Sequence, residues 1–313
     1  IDCVGFKVVL AKDITGVQEL TEEVLTAMEA MNGVAPAHNP PYIAAVRQFR
    51  RIVPSVPLIG SFETGFHRDL LPRAYLFSIP KEYARRGVRR YGYHGASHEY
   101  VSGRVSELTG RKDLRLVTCH LGGSGSLAAV KAGVSIDTTL GFSLQCGIMH
   151  NNRCGDIDPY LPIYLQETEG MGLEEVKTLL TKKSGLLGLS GVSNDMRDIE
   201  KAAGQGNADA MECLEAYAYY IRKQIGAYAA AMGGLDAVAF AGGIGENSAR
   251  VRELSLAGLG FLGVDLDLDR NRTARCDALV SAPASRVQVF IVATNEELVV
   301  ARKARDFLKA DRG

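Results

Sequence analysis

The stretch LRLVTCHLGGSGSLAAVKAGVSIDTT (114–139) predicts two apolar β-strands joined by a glycine-rich turn. A similar pattern recurs in LDAVAFAGGIGENSARVREL (235–254), where a strand and its glycine turn lead into a helix. Strand-like and helix-like segments alternate along the rest of the chain, which is typical of an α/β fold. We therefore predict an α/β fold in which the strands at 114–121 and 236–243 are neighbours in one sheet.

The two glycine-rich turns, HLGGSGSL (120–127) and AGGIGENS (241–248), are candidates for contact with phosphate groups. Glycine lacks the Cβ that would keep backbone N–H groups away from phosphate oxygens, and a helix N-terminus favours anions. Neither turn matches the P-loop pattern or the full dinucleotide-binding fingerprint, so each by itself also fits a plain tight turn. Because both follow apolar strands in one chain, together they favour a nucleotide cleft.

Charge and composition exclude several classes of protein. The 313 residues, enough for two domains, carry 36 basic and 36 acidic side chains. With this balance we expect no nucleic-acid partner and no attraction to an anionic membrane. The sequence has no uninterrupted apolar run of ~18 residues, so we expect no membrane span. Six scattered cysteines without a CxxC pair indicate reduced thiols, as in a cytoplasmic protein, rather than a zinc or disulfide framework.

Three further motifs carry polar side chains that a reaction could use. In SFETGFH (61–67), Glu63 follows a buried strand, where a carboxylate either is solvated by a turn or points into a site. Arg153, in NNRCGDIDP (151–159), lies among turn-forming residues and suits bidentate contact with a carboxylate or phosphate. In RRYGYHGASHEY (89–100), His94 and His98 fit a metal pair, a donor to a transferring phosphoryl group, or structural histidines.

Eight motifs resemble those of the acetate kinase family, in the same order and at similar spacing. They are APAHNPP (35–41), FETGFH (62–67), YGYHGASH (91–98), HLGGSGSLAAVKAGVSIDTTLG (120–141), RCGDIDP (153–159), SGLLGLSGVSNDMRDI (184–199), AGGIGENSARVRE (241–253) and TNEELVVAR (294–302). The resemblance implies an α/β fold of two ribonuclease H-like domains, as in the acetate and sugar kinase/heat-shock ATPase/actin superfamily. It also implies reversible transfer of the γ-phosphoryl group of ATP to a short-chain carboxylate, which gives an acyl phosphate.

The resemblance further implies domain boundaries, cofactors and partners. Residues 1–65 and 297–313 would form the N-terminal lobe, and residues 66–296 the nucleotide-binding lobe. The N-terminal lobe is expected to be incomplete, because the family's opening phosphate loop has no counterpart and the sequence begins at Ile1 within a strand. The family implies ATP and ADP as substrates, a small carboxylate as the other substrate, Mg²⁺ as cofactor, a homodimer and a cytoplasmic location.

Carried over position by position, the resemblance implies roles for individual residues. Glu63 falls on the catalytic carboxylate, Arg153 on an arginine that neutralises the transferring phosphoryl group, and His94 on a histidine that donates to it. Glu296 falls on the carboxylate that helps to hold Mg²⁺. The expected substrate-binding residues are Lys7, Val9, His38, Tyr93 and Leu144. The expected nucleotide-binding residues are His120, Gly122, Gly123, Ser124, Gly125, Asp195, Met196, Arg197, Gly242, Gly243, Ile244, Gly245 and Asn247.

The sequence departs from the family's pattern within the expected site. Lys7 stands where the family has an arginine for the substrate carboxylate, Glu63 where it has an aspartate, and Gly123 where it has an asparagine. Tyr93 and Leu144 replace a phenylalanine and a proline. Lysine keeps the charge of arginine but loses the bidentate fork. Three hypotheses therefore stand: a carboxylate kinase, a nucleotide-binding but catalytically weak relative that serves as a regulatory or assembly partner, and a sugar kinase of the same superfamily.

Overall fold

The structure, a computed structural model, describes residues 1–275 and 277–311. Residues 276, 312 and 313, which the predicted domain ranges include, lie outside the described residues. The strands are β1 (Val4–Val8), β2 (Val17–Glu19), β3 (Leu58–Phe62), β4 (Arg115–Leu121), β5 (Gly125–Lys131), β6 (Val134–Thr138), β7 (Ala237–Ala241), β8 (Ala278–Leu279) and β9 (Gln288–Ile291). The helices are α1 (Glu22–Glu29), α2 (Asn39–Ile52), α3 (Pro72–Tyr75), α4 (Lys81–Arg85), α5 (Gly95–Thr109), α6 (Leu161–Glu167), α7 (Leu173–Lys182), α8 (Gly185–Ser190), α9 (Met196–Gly204), α10 (Ala208–Met232), α11 (Gly242–Asn247), α12 (Ala249–Leu256), α13 (Leu268–Thr273) and α14 (Glu296–Asp311).

The larger sheet has the strand order β6-β5-β4-β7-β9-β8. Strands β4 and β7 are parallel neighbours, paired from Leu116 with Ala237 to His120 with Ala241, which confirms the sequence prediction. Because the strands are parallel, their carboxyl ends lie at one edge, and the two glycine-rich turns that follow them lie side by side there.

Helices cover both faces of this sheet. Successive residues of a strand point to opposite faces. Val117 and Cys119 of β4 pack in the core that α10 covers, whereas Leu116 packs with Val101 and Val105 of α5 on the other face. Burial on both faces explains why these strands are continuous apolar runs in the sequence. Within residues 1–275 and 277–311, no helix has the length and apolar character needed to cross a lipid bilayer.

Two details of the sequence prediction are wrong. Residues 114–139 form three strands rather than two, because the chain turns again at Ala132 and Gly133, whose φ angles are 50° and 79°. An alanine in the left-handed region is uncommon, so the sequence carries no strong signal for this turn. The glycine stretch after β7 is not a free turn but the short helix α11, in which the N–H of Gly242 donates to Oε1 of Glu246 at 2.9 Å.

The smaller sheet has the order β1-β3-β2, with β1 parallel and β2 antiparallel to β3. Helix α14 packs on this sheet, where a Cβ at Gly5 would lie only 3.0 Å from Cγ1 of Val300. The same helix contacts α5 through an ion pair between Lys303 and Glu99. Helix α14 thus connects the two sheets, and the expected domain boundaries after residues 65 and 296 stay a prediction.

Candidate active site

Three charged residues meet where β1, β3 and α14 converge. Lys7 belongs to β1, Glu63 directly follows β3, and Glu296 begins α14. The Nζ atom of Lys7 donates to Oε2 of Glu296 at 2.5 Å. Burial lowers the pKa of Lys7, but the charge of Glu63 and the contact with Glu296 outweigh this effect and raise it to about 12. Lys7 is therefore a permanent cation beside two carboxylates, and we call these three residues the charged cluster.

Glu63 points into the protein and not into a solvated turn. The residue is only 4% exposed, and its Oε1 atom has no hydrogen-bond partner among the described residues. Burial raises the pKa of Glu63, Lys7 lowers it and Glu296 raises it again, which brings it to about 7. The carboxyl group is thus harder to ionise than an ordinary glutamate, and one of its buried oxygens has no hydrogen-bond partner among the described residues.

The rings of His94 and His120 lie beside the charged cluster, tilted by 33° to each other with centroids 4.4 Å apart. His94 lies immediately before α5 and has a φ of 55°, a left-handed conformation that is costly for any residue except glycine. Burial, then the nearby His120, His98 and His150 and the charge of Lys7, lower the pKa of His94 well below its ordinary value. His94 is therefore neutral at pH 7.

The loop that carries Arg153 is hydrogen-bonded to the first glycine turn. The N–H of Asn151 donates to the carbonyl oxygen of Gly123 at 3.1 Å, and the N–H of Gly125 donates to Nδ1 of His150 at 3.0 Å. Within the loop, the N–H of His150 donates to the carbonyl oxygen of Arg153 at 3.1 Å. These bonds hold the arginine loop and the glycine turn together as one unit.

Arg153 and Lys7 act on the same histidine from two elements of the fold. Burial first, then the charge of Arg153 and then that of Lys7, lower the pKa of His38. His38 lies at the start of α2 and is partly buried. Lys7 and Arg153 are thus both near enough for their charges to act on His38, so an anion in the space beside this ring would lie near two cations.

An apolar wall borders this space. Three of the five residues that the sequence predicts for substrate binding, Val9, Tyr93 and Leu144, belong to one buried cluster. The Tyr93 hydroxyl donates to the carbonyl oxygen of Phe142 at 2.7 Å and is thereby satisfied. Nη1 of Arg153 donates to the carbonyl oxygen of Leu144, which fixes the guanidinium against this wall.

A cavity of about 610 Å³ opens between the two glycine turns, and we call it the large cavity. Eight of the predicted nucleotide-binding residues line it: Gly122, Gly123, Asp195, Met196, Arg197, Gly243, Ile244 and Asn247. Four residues that the sequence interpretation missed also line it: Asn151, Asn194, Glu200 and Ser248. In the described part of the chain, the other predicted residues lie outside this lining: His120, Ser124, Gly125, Gly242 and Gly245.

The glycines of the two turns are glycine for different reasons. A Cβ at Gly243 would meet no atom within 4 Å, so this position opens onto the cavity. A Cβ at Gly125 would come 2.9 Å from Cδ1 of Ile148, and one at Gly242 would come 2.8 Å from the carbonyl oxygen of Leu121. Packing therefore requires glycine at 125 and 242, although neither residue lines the cavity.

The residues that sequence reasoning missed differ in how they could have been found. Asn151 is two residues from Arg153 in a motif already singled out, so an amide in a loop of turn formers was a readable signal. Glu200 and Ser248 are instead joined by a hydrogen bond between α9 and the residue before α12. Ser248 ends the motif AGGIGENS already singled out, but its contact with Glu200, 48 positions away, leaves no local pattern.

Comparison with protein families identifies this arrangement. Residues 1–302 match the family described as the Acetokinase family. The chain belongs to the acetokinase family. It is 46% identical to the acetate kinase of Shouchella clausii over 286 residues, which cover 90% of this chain and 72% of that protein. It is 47% identical to the acetate kinase of Pseudothermotoga lettingae over 294 residues, which cover 93% of this chain and 73% of that protein.

Solved structures of related kinases have the same fold. The acetate kinase of Porphyromonas gingivalis superposes with a TM-score of 0.92 at 38% identity, covering 98% of this acetokinase-family chain and 78% of that one. A propionate kinase from Francisella tularensis superposes with a TM-score of 0.91 at 31% identity, covering 96% of this chain and 78% of that one. The predicted family and fold class are confirmed.

Proposed function

We propose that the protein is a carboxylate kinase of the acetate kinase type, which reversibly transfers the γ-phosphoryl group of ATP to a short-chain carboxylate. One observation carries this proposal: the loop of Arg153 is hydrogen-bonded to the glycine turn at the large cavity, while Arg153 itself shares the space around His38 with Lys7. A cavity for a nucleotide and a positively charged space for an acid are thereby adjacent. Membership of the acetokinase family supports the same reaction.

ATP is proposed to occupy the large cavity. The volume of this cavity, about 610 Å³, falls in the usual range for ligand pockets of roughly 300–1,000 Å³. Met196 and Ile244 offer apolar side chains for the base, and Gly122 and Gly123 offer backbone for the phosphates. This orientation directs the γ-phosphoryl group toward the loop of Arg153, because Asn151 of that loop is bonded to Gly123.

The acceptor carboxylate is proposed to bind between Lys7, His38 and Arg153, with its alkyl group against the apolar wall of Val9 and Leu144. A short-chain carboxylic acid is ionised at neutral pH, so its attack on phosphorus requires no general base. The reaction requires two anions to be aligned and their charge to be compensated as the phosphoryl group moves. The guanidinium of Arg153 supplies positive charge, and the imidazole of His94 supplies a hydrogen bond.

Mg²⁺ is proposed as cofactor, and the charged cluster fits it. Glu63 has a buried oxygen without a partner among the described residues, and Glu296 provides a second carboxylate nearby. No group of three or more histidine, cysteine or acidic residues within the described ranges could hold a metal by itself. Two carboxylates are enough for Mg²⁺, which binds one or two of them and completes its coordination with water and phosphate oxygens. Bound there, Mg²⁺ would neutralise part of the phosphate charge. Lys7 and a metal ion would compete for the same carboxylates.

A homodimer and a cytoplasmic location complete the proposal. Both rest on the resemblance to the acetate kinase family, and exposed aromatic side chains such as Tyr160, Tyr164 and Tyr219 provide surface for a subunit contact. Sedimentation equilibrium should give about twice the mass of one chain, and the mass of a single chain would contradict the dimer.

Trapping of acyl phosphates with hydroxylamine tests the proposed reaction. The protein is incubated with Mg²⁺ and ATP together with acetate, propionate, butyrate or a hydroxy acid in separate reactions. A further reaction contains glucose and is followed by mass spectrometry of the sugar phosphate, because a phosphate ester does not react with hydroxylamine. We expect a hydroxamate from at least one acid with the unaltered protein and none with Arg153→Ala. Saturable ATP binding without a product from any acid would contradict the carboxylate kinase and leave a nucleotide-binding relative, whereas phosphorylation of glucose would indicate a sugar kinase.

A further inference from the structure

We propose that Thr118, His98 and Ser126 form a hydrogen-bonded chain that fixes the tautomer of His94. In this tautomer the ring proton is on Nε2, from which His94 donates a hydrogen bond to the phosphoryl group. Thr118 and Ser126 lie in β4 and β5, and His98 lies in α5. The inference rests on the proposed function for the role of His94. The tautomer itself can be measured whether or not the protein is active.

The chain of contacts is continuous and buried. Oγ1 of Thr118 lies 2.7 Å from Nδ1 of His98, and Nε2 of His98 lies 2.8 Å from Oγ of Ser126. Oγ of Ser126 in turn lies 2.7 Å from Nδ1 of His94. Thr118, His98 and Ser126 are each at most 1% exposed, so bulk water does not compete for these bonds. Each bond therefore constrains the direction of the next.

Local geometry brings these residues together. His94 immediately precedes α5 and His98 lies in the first turn of this helix, with their ring centroids 6.5 Å apart. Both rings contact Ser126 of the antiparallel pair β4 and β5, where Ser126 lies directly opposite His120 in the register. The two histidines that the sequence interpretation considered as a metal pair are thus linked to each other by hydrogen bonds through Ser126.

The direction of the first hydrogen bond follows from its competitor. The hydroxyl of Thr118 has two acceptors within reach, Nδ1 of His98 at 2.7 Å and the carbonyl oxygen of Ala128 at 3.5 Å. A contact of 3.5 Å is at the limit of a hydrogen bond, whereas 2.7 Å is optimal for a hydroxyl donor. Thr118 therefore donates to Nδ1 of His98. The reverse direction would leave the Thr118 proton only the long contact.

The remaining directions follow along the chain of hydrogen bonds. Burial, and then the nearby His67 and His120, lower the pKa of His98 well below its ordinary value, so this ring carries one proton. His98 accepts at Nδ1 and so donates from Nε2 to Ser126. Ser126 donates its own proton to Nδ1 of His94. The proton of His94 is left on Nε2, the nitrogen that the chain does not use.

This orientation matters because a neutral imidazole can present either a proton or a lone pair. With the opposite tautomer, Nε2 of His94 would direct a lone pair at the phosphoryl oxygens and repel them. The buried chain removes that choice before the substrates bind. Thr118, His98 and Ser126 are thus positioning residues that act on the reaction only through His94.

Nitrogen NMR of the full chain labelled with ¹⁵N-histidine tests the inference, since long-range proton–nitrogen spectra distinguish protonated from unprotonated ring nitrogens. The His94 signals are assigned by their loss in His94→Gln. We expect Nε2 of His94 to be protonated and Nδ1 to be unprotonated. In Ser126→Ala and Thr118→Val we expect a mixture of tautomers. Their kcat for acyl phosphate formation should fall about tenfold or more, as for other outer-shell partners, with an unchanged KM for ATP.

Ser135→Ala is the matched control, because Ser135 is equally buried and its hydroxyl bonds Nδ1 of His67 at 2.7 Å outside this chain. It should leave the His94 tautomer unchanged. Protonated Nδ1 of His94 in the unaltered protein would overturn the inference, and so would an unchanged tautomer in Thr118→Val. The spectrum of the unaltered protein decides the matter even if a variant fails to fold or if no acid is phosphorylated.

Discussion

The large cavity and the charged cluster are built in different ways. The cavity is formed at strand ends and loops, where Gly122, Gly123 and Gly243 present backbone. The charged cluster consists of ionisable side chains from separate elements, placed by burial and by mutual charge. Backbone stays in place when one side chain changes, whereas the reach of a side chain changes with every substitution. Substitutions in the charged cluster can therefore change the reaction or the acceptor while nucleotide binding in the large cavity is preserved.

Each region contains a substitution with a neighbour that compensates for it. At Gly123, where the family pattern has an asparagine, a Cβ would lie 3.2 Å from Nδ2 of Asn151, so an amide from the next loop already fills that space. In the charged cluster, Lys7 is one bond shorter than arginine, while Glu63 is one C–C bond, about 1.5 Å, longer than aspartate. The two substitutions thus change the reach of neighbouring side chains in opposite directions, and the charge of Glu63 acts on Lys7, whose ammonium is hydrogen-bonded to Glu296. In both regions a neighbour is therefore placed to compensate for the substitution.

The largest effect that we expect comes from Arg153, which joins the two regions. Arg153→Ala should lower kcat about 1,000-fold. This is the lower end of the effect of an arginine that stabilises the transferring phosphoryl group in the transition state. ATP affinity should change little, because this charge counts most in the transition state. Steady-state kinetics and calorimetric ATP titration separate the two effects. Equal losses in both would indicate an arginine that only holds the loop.

Two buried histidines, His67 and His150, should make the folded protein less stable in acid. Nε2 of His67 donates to the Tyr93 carbonyl oxygen at 3.0 Å, and burial lowers the pKa of His67 to about 4. Burial and the charge of Arg153 lower the pKa of His150, beside the first glycine turn, to about 3. Both rings must be neutral in the folded state. Their contribution is therefore complete above the ordinary pKa of 6.5 and is lost as the pH falls toward these values.

For His67 this difference corresponds to about 3 kcal/mol of the free energy of unfolding. Chemical denaturation between pH 7 and 4 should show decreasing stability, with a shallower decrease in His67→Asn than in the unaltered protein. The same pH slope in both proteins would contradict the assignment.

Gly243→Val should weaken ATP binding about tenfold while leaving the fold intact. The new side chain would enter the cavity, since no atom lies within 4 Å of a Cβ at this position. Gly260→Val is the control, because a Cβ there also meets no atom within 4 Å and the residue is exposed outside the cavity lining. Calorimetry with ATP gives both affinities. Equal affinities in the two variants would place the nucleotide elsewhere.

The smallest effect concerns metal binding to the charged cluster. Lys7→Met should tighten Mn²⁺ binding, measured by electron paramagnetic resonance without nucleotide, about fivefold. The reason is that the ammonium bonded to Glu296 no longer competes for the carboxylates. Lys12→Met is the control, since Lys12 is exposed and its Nζ atom lies 3.9 Å from Oδ2 of Asp13, a carboxylate outside the charged cluster. If Lys7→Met weakens Mn²⁺ binding or leaves it unchanged, Lys7 does not compete with the metal.

The sequence predicted the two regions to different extents. Strand pairing and the glycine turns were readable, because apolar runs and glycines act locally. The family resemblance also named Lys7, Glu63 and Glu296, but not the contact between Lys7 and Glu296, which are 289 positions apart in the chain. The hydrogen bonds of Ser126 were likewise hidden, since a serine in an apolar strand carries no signal of its partner. Pairings between distant elements exist only in the folded chain.

The central prediction is that the shorter Lys7 and the longer Glu63 compensate for each other within the charged cluster, and a double-mutant cycle tests it most directly. The measured quantity is kcat/KM for acyl phosphate formation from the preferred acid in Lys7→Arg, Glu63→Asp and the double variant. Each single change misplaces a charge by about one bond, and a misplacement of that size can cost about 100-fold.

We predict that each single variant loses at least tenfold, and that the double variant returns to within about threefold of the unaltered protein. ATP affinity should be the same in all four proteins, because the large cavity is untouched. If the double variant instead loses the product of the two single losses, the residues act independently. The claim that they form one compensating pair would then be contradicted.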